Sequence, residues 1–227
     1  LSSAASDVYK RQVVSTGNEL IKSGQKIRDY QVYDSNKYQI IHFLKKFNVK
    51  VRDLGVLKDD ELKVDKFYKK NQNKFDIIIS SGGSSFSSKD YISSFLSQNT
   101  KLLFKYVRIQ PGRPVIFSKL KLNYYFSLPG NPLAVFTNLF FLVSLFIDPS
   151  RKDNSSITKS YQSGFSENKK SNITKFYRVK LSKNRLYTHN SKGSAKLISL
   201  SEADGLAFVP EGNDKIKKGE KIRFIEF

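Results

Sequence analysis

Residues Ile77-Ile78-Ile79 run into Ser80-Ser81-Gly82-Gly83-Ser84-Ser85-Phe86-Ser87-Ser88-Lys89-Asp90-Tyr91, and Tyr91, Ile92, Phe95 and Leu96 then fall on one helical face. An apolar run, a turn of small residues and a helix start predict a strand that feeds a helix. The two glycines let backbone N–H groups come close to a bound anion, and the helix N-terminus adds free donors and a positive dipole end. Asp90 sits at the rim of the turn, placed to hold a cation or a water. Taken alone, a plain βα turn with serine caps explains the stretch as well as a binding turn does.

The same unit recurs upstream. Val13-Val14-Ser15 reads as the end of a strand, and Thr16-Gly17-Asn18-Glu19-Leu20 makes a turn carrying one carboxylate. Tyr33-Asp34-Ser35-Asn36 has N-cap chemistry, with Ile40, Phe43, Leu44 and Phe47 behind it at helical spacing. Residues 49–57 form a second strand. The acidic pair in Lys58-Asp59-Asp60 then opens a helix containing Leu62, Phe67 and Tyr68. The order βαβαβα with short connections predicts a parallel, helix-covered sheet whose ligands sit at the carboxyl ends of the strands. Glu19, Asp59, Asp60 and Asp90 all follow such ends, so three turns deliver carboxylates to one edge. Oxygen ligands of this kind suit Mg²⁺, with Asp59, Asp60 and Asp90 as the expected set. Acids in a first helical turn also complement the helix dipole, which explains at least one of them without a metal.

Residues 102–109 are extended and lead into Gln110-Pro111-Gly112-Arg113-Pro114, where two prolines hold Arg113 on a rigid turn. Short strands are expected at 115–117 and 124–126. In Leu128-Pro129-Gly130-Asn131-Pro132, Asn131 is the expected N-cap and Pro132 the first residue of a helix. That helix, 133–147, is apolar nearly all round, and it is shorter than the roughly 20 residues a bilayer span needs, so a buried core helix is expected. Residues 148–172 are rich in Ser, Lys and Asn and read as a linker. Beyond it, β-type runs at 176–181, 185–189, 196–200, 206–209 and 221–227 predict a small β-barrel or β-sandwich.

Composition narrows the chemistry. With no cysteine, disulfides, thiolate metal sites and cysteine nucleophiles are excluded, and His42 and His189 are too few and too far apart to suggest a zinc site. His42 lies off the apolar stripe of its helix and is expected to be exposed. The net charge of +20 invites a polyanion, either nucleic acid or an anionic membrane. The lysines are dispersed, however, and the aromatics sit mostly at core-periodic positions, so solvated faces are the preferred explanation and neither partner is expected. No segment reads as a signal peptide, which makes the cytoplasm the expected compartment. Residues 1–12 match the in-frame translation of a transposase sequencing adapter and are set aside from fold reasoning, so the chain is expected to be cut from a longer one.

The ordered motifs Ser15-Thr16-Gly17-Asn18-Glu19-Leu20, Asp34-Ser35-Asn36, Lys58-Asp59-Asp60, Ser81-Gly82-Gly83, Asp90-Tyr91, Pro111-Gly112-Arg113-Pro114 and Leu128-Pro129-Gly130-Asn131-Pro132 closely resemble the molybdopterin molybdenumtransferase family, the MoeA-like group related to the E domain of gephyrin. Each motif is weak alone; seven in order are specific. The resemblance implies a three-layer α/β/α molybdopterin-binding domain with a mostly parallel sheet at 13–150, and a small all-β, barrel-like domain at 151–227. It implies insertion of molybdate into adenylylated molybdopterin with Mg²⁺ and release of AMP.

By the same resemblance, Asp90, Asp60 and Glu19 are the catalytic acids. Thr16, Ser81, Gly82, Gly83, Ser85, Pro129, Gly130 and Asn131 hold the pterin and its phosphate. Lys105, Arg113, Arg178 and Ser194 surround molybdate, a dianion that needs cationic and hydroxyl donors. Asn18 stands where the family has Asp, Ser84 and Ser87 where it has Val and Gly, and Gln110 where many members have Lys. Whole members carry two further domains ahead of the segment matched here and complete their site from the partner subunit of a homodimer, so this chain alone is expected to be inactive.

Two rival functions remain. One is the sister adenylyltransferase of the same pathway, against which the C-terminal β-domain and the Pro-Gly-Arg-Pro turn speak. The other is a basic nucleic-acid-binding protein, which predicts steep salt dependence. Nothing in the sequence bears on a scaffold role like that of the animal relatives.

Overall fold

The structure is a computed structural model and describes residues 10–72, 74–84, 90–148, 158–188 and 198–227. Packing divides the chain into two compact units, one of residues 1–107 and 114–131, the other of 108–113 and 132–227.

The first unit contains, in chain order, β1 (Arg11–Thr16), β2 (Leu20–Ile21), β3 (Val32–Tyr33), α1 (Asn36–Lys45), β4 (Val51–Leu57), α2 (Glu61–Asn71), β5 (Ile77–Ser81), α3 (Tyr91–Asn99) and β6 (Lys101–Tyr106). After β7 (Ile109–Gln110), which belongs to the second unit, it resumes with β8 (Pro114–Leu120) and β9 (Asn123–Leu128). Six strands form one sheet in the order β4-β1-β5-β9-β8-β6. The pairs β4–β1, β1–β5 and β5–β9 are parallel, and the β8 pairings with β9 and β6 are antiparallel. All six residues of β1 and all five of β5 are buried, as strands covered on both faces must be. Side-chain alternation sends Val14 and Ile78 to the face covered by α2 and α3, where they meet Val64, Tyr68, Ile92 and Leu96. Helix α1 packs along β1 and β4 and buries Ile40, Phe43 and Leu44. The result is the expected α/β/α unit.

Local chemistry sets the helix starts. Asp60 is the N-cap of α2, its carboxylate accepting from the Lys63 N–H at 3.0 Å, and Asp90 caps α3 by accepting from the Ser93 N–H at 2.9 Å. Before α1 it is Asp34, one residue ahead of the N-cap Ser35, that accepts from the Lys37 N–H. The Lys37 ammonium is buried between Asp34 at 3.6 Å and Asp53 at 3.2 Å, which ties α1 to β4. His42 is exposed, as expected, and Leu62 is exposed on α2.

The second unit holds the apolar helix and the β-domain. The helix is three consecutive pieces: α4 (Pro132–Asn138), a π-helical segment Leu139–Val143, and α5 (Ser144–Ile147). Leu133, Phe136, Phe140 and Phe141 pack on Phe176, Leu206, Phe208 and Ile225. The Phe141 ring lies 4.5 Å from Phe176 and 5.3 Å from Phe208. The expected core helix is therefore buried against the β-domain.

That domain comprises β10 (Lys159–Ser163), β11 (Glu167–Asn168), β12 (Thr174–Ser182), β13 (Arg185–Thr188), α6 (Ile198–Ser201), β14 (Gly205–Val209), β15 (Lys215–Ile216) and β16 (Lys221–Glu226). Strands pair in the order β13-β10-β16-β14-β12, and β12 pairs back onto β13, closing a barrel. Two expectations are corrected here. The segment 148–172, read as a linker, contributes β10 and β11. Of β10, Ser163 is buried and Tyr161 packs against the barrel core, but Lys159, Ser160 and Gln162 face solvent, which hid the strand's alternation. The run 196–200, expected as a strand, is helical where described, in α6.

Strand β1 takes in Arg11 and Gln12, which the adapter match sets aside from fold reasoning, ahead of the expected strand end Val13-Val14-Ser15, and Gln12 is fully buried with both amide atoms lacking a hydrogen-bond partner. An unpaired buried amide costs about 1–3 kcal/mol. Gln12→Val, which replaces the unpaired amide with a β-branched apolar side chain suited to a strand, is expected to raise the thermal midpoint by several degrees in a calorimetric scan.

Tyr68, stacked on Phe95 at 4.9 Å, is buried, and that burial raises its phenol far above the ordinary value of 10.0. A raised folded value stabilises fully below the unfolded value and is lost as pH climbs above it. Stability in urea is therefore expected to fall from about pH 10 upward, and less steeply in Tyr68→Phe.

Candidate functional site

A cleft of about 410 Å³ opens at the carboxyl edge of the parallel strands, lined by Thr16, Gly17, Glu19, Asp59, Gly82, Gly83, Ser84, Asp90, Pro129 and Gly130 among others. All belong to the first unit. The turns after β1, β4, β5 and β9 meet there because parallel neighbours end on the same side.

The Gly-Gly turn is held from beneath. The Gly82 N–H donates to the Leu128 carbonyl at 3.0 Å, and the Ser127 hydroxyl donates to the carbonyls of Gly82 at 3.3 Å and Gly83 at 3.0 Å. The Gly82 amide is thus engaged by the protein, and ligand donors from this turn must come from residues further along it. Both glycines have φ in the left-handed region, at 83° and 77°. A Cβ on Gly82 would lie 2.7 Å from the Thr16 carbonyl oxygen, and one on Gly83 would lie 2.9 Å from the Ile92 Cβ. Neither position accepts a side chain without movement of the floor or of α3.

Each acid is placed by a different device. The Glu19 carboxylate folds over Gly17, where a Cβ would approach its oxygens to 2.6 Å. Asp59 is held by the Asn18 backbone N–H, which donates to its carboxylate at 3.1 Å. Asp90 is 6% exposed and spends one oxygen on the α3 cap. Asp60, expected beside Asp59, is not among the cleft's lining residues. Its carboxylate caps α2 and lies 3.5 Å from the Lys63 ammonium. The Lys63 backbone hydrogen bond, helped by that ammonium, holds its carboxyl below the ordinary value. Across the cleft, the Asn36 amide donates to the Gly130 carbonyl at 2.7 Å and pins the Pro129–Gly130 lip.

Of the other expected residues, Thr16 donates to the Ser81 carbonyl at 3.3 Å, and the Ser81 hydroxyl is buried with no hydrogen-bond partner. Lys105 is half-buried on β6 in the first unit. Arg113, exposed, and Arg178, half-buried on β12, are in the second. Asn131 directly precedes α4. Ser85 and Ser194, and with them Ser87, lie outside the described residues. Neither Ser127 nor the Asn36–Gly130 link carries a motif signal in the sequence, where Asn36 offers only cap chemistry.

Among the described residues the charged lining groups are all acids, Glu19, Asp59 and Asp90, in a chain of net charge +20. Among the described residues no group of three His, Cys, Asp or Glu side chains is close enough to cage a metal. This donor set fits a cation that takes one or two carboxylates and completes its shell with water and ligand oxygens, as Mg²⁺ does.

Fold and cleft together define an α/β/α ligand-binding unit with its site at the sheet's carboxyl edge, continued by a closed β-barrel. The chain belongs to the family described as "Probable molybdopterin binding domain", whose model matches residues 12–148, and residues 162–227 match the MoeA C-terminal region (domain IV). It is 34% identical over 135 residues to a molybdopterin molybdenumtransferase of Haemophilus influenzae, covering 60% of this chain and 33% of that protein. It is 27% identical over 240 residues to one of Nostoc sp., covering 96% of this chain and 54% of the relative. The molybdopterin biosynthesis moeA protein of Pyrococcus horikosii superposes with a TM-score of 0.81 at 26% identity, covering 96% of this chain and 54% of that one. The chain thus spans about half the length, or less, of these relatives. Among the described residues no helix is long and apolar enough to cross a membrane.

Gly83→Ala is expected to lower stability in urea by at least about 2 kcal/mol, from left-handed strain plus the contact with Ile92. Gly24→Ala shares the positive φ (89°) but meets nothing within 4 Å. It should cost only the strain, about 1 kcal/mol.

Proposed function

We propose that this chain is the molybdopterin-binding and C-terminal part of a molybdopterin molybdenumtransferase. The whole protein would be a cytoplasmic homodimer that acts in molybdenum cofactor biosynthesis, inserting molybdate into adenylylated molybdopterin and releasing AMP. The observation that carries this reading is the succession of two family matches, 12–148 and 162–227, over a chain whose Gly-Gly cleft lies within the first. The match to the MoeA C-terminal region also favours it over the sister adenylyltransferase.

The roles follow from chemistry. The pterin phosphate would lie against the Gly82–Gly83 turn between Thr16 and the Pro129–Gly130 lip. An acidic cleft repels a phosphate, so binding needs a counter-charge. Asp59 and Asp90 would hold Mg²⁺ jointly with the ligand's phosphate oxygens, and the ion would neutralise charge on the departing AMP. Glu19 adds a third carboxylate for orienting water or a hydroxyl. Asp60 serves as the cap that fixes the turn carrying Asp59. Lys105, Arg113, Arg178 and Ser194 are the groups proposed to take molybdate, since a tetrahedral dianion is matched by guanidinium, ammonium and hydroxyl donors.

The test is equilibrium binding of adenylylated molybdopterin to residues 10–227. Saturable binding is expected with Mg²⁺ present, about tenfold weaker without it and again in Asp90→Asn, which keeps the helix cap but removes the charge. No binding by the unaltered chain, or equal binding by Asp90→Asn, would sink the assignment.

A further inference from the structure

The turns after β1 and β4 are joined by a reciprocal pair of hydrogen bonds. The Asn18 N–H donates to one Asp59 carboxylate oxygen at 3.1 Å, and the Asp59 N–H donates to the Asn18 side-chain oxygen at 3.3 Å. A third bond in the same place runs from the Gly17 N–H to the Leu57 carbonyl at 3.4 Å. The two segments are 41 residues apart in sequence. Asp59 lines the cleft and Asn18 does not.

This geometry does more than tie two loops together. The carboxylate of Asp59 is exposed and has no cap duty, unlike those of Asp60 and Asp90, so its orientation depends on the Asn18 N–H and on how firmly the Asp59 backbone is held against that donor. One of its oxygens is fixed by a backbone donor, and the Asp59 backbone that carries it is fixed by the Asn18 side chain. The second oxygen is then left to face a ligand from a defined position. Asn also supplies its acceptor without a charge, so the turn gains order without a fourth carboxylate beside the three already at the cleft.

We propose that Asn18 is a positioning residue for the Asp59 carboxylate and thereby sets the affinity of the cleft for a divalent cation. The inference rests on the reading of the cleft as a cation and phosphate site. Its chemistry separates two substitutions. Asn18→Ala removes the acceptor for the Asp59 N–H and leaves half of the pair. Asn18→Asp retains the acceptor and adds charge.

Mn²⁺, which shares the preference for oxygen ligands, reports on this without any turnover. Free and bound Mn²⁺ are measured by electron paramagnetic resonance with the whole chain and AMP as the phosphate donor. The unaltered chain, Asp59→Asn, Asn18→Ala and Asn18→Asp are compared, with circular dichroism melts to score folding. Asp59→Asn should lose most of the binding. Asn18→Ala should bind roughly three- to tenfold more weakly, the scale of one net hydrogen bond. Asn18→Asp should bind at least as tightly as the unaltered chain. If Asp59→Asn loses Mn²⁺ while Asn18→Ala binds like the unaltered chain, the positioning role is overturned and the cleft reading stands. The role is equally overturned if Asn18→Asp falls to the level of Asn18→Ala. If the unaltered chain binds no Mn²⁺, or Asp59→Asn binds as well as it does, the cation reading of the cleft falls and this inference with it. If Asn18→Ala does not fold, the Asn18→Asp comparison alone decides: binding at or above the unaltered level supports the role, and weaker binding overturns it.

Discussion

The parallel pairing of β1 with both of its neighbours is the constraint on which the rest of this unit depends. A strand hydrogen-bonded on two sides and covered on two faces has no surface left except its ends. Every residue of β1 and β5 is accordingly buried, and the chain can offer chemistry only where these strands stop. Because the neighbours run parallel, they stop together. Glu19, Asp59, Gly82, Gly83 and Asp90 come to one cleft from three separate turns for that reason and no other.

What the turns do at that edge is a division of labour among similar residues. Four carboxylates follow the strand ends, yet they are not equivalent. Asp60 and Asp90 both cap helices; Asp60 is turned to Lys63, whereas Asp90 remains at the cleft. Asp59 is oriented by a neighbouring turn, and Glu19 by the absence of a side chain at Gly17. The glycine turn shows the same economy. Its conformation is secured by Ser127 and Leu128 on the adjacent strand β9, and this uses the Gly82 amide that a simple phosphate-cradle picture would assign to a ligand.

The second unit rests on a different interaction, aromatic packing. Phe141 packs on the adjoining rings of Phe176 and Phe208, and a helix that is apolar nearly all round finds on the barrel a surface of matching character. The family match 12–148 includes this helix with the α/β segment, while packing groups it with the barrel. The family match and the packing therefore divide the chain at different points.

The sequence by itself determined the strand–turn–helix order of the first unit, the helix starts at Asp60 and Asp90, the core stripes of α1 and α3, and the arrival of acids at one edge. These are local or periodic signals, carried by residues three or four apart or by a single turn. It could not show which acid faces the cleft, since Asp59 and Asp60 are chemically alike and only hydrogen bonds to residues far along the chain separate them. Nor did it reveal β10, whose outward side chains are polar because closure against β16 and β13, not burial along its length, holds it as a strand. The burial of Gln12 was equally out of reach, for a polar residue carries no periodic mark of the core. Those choices were made by tertiary structure, where partners distant in sequence compete for the same donors and the same space.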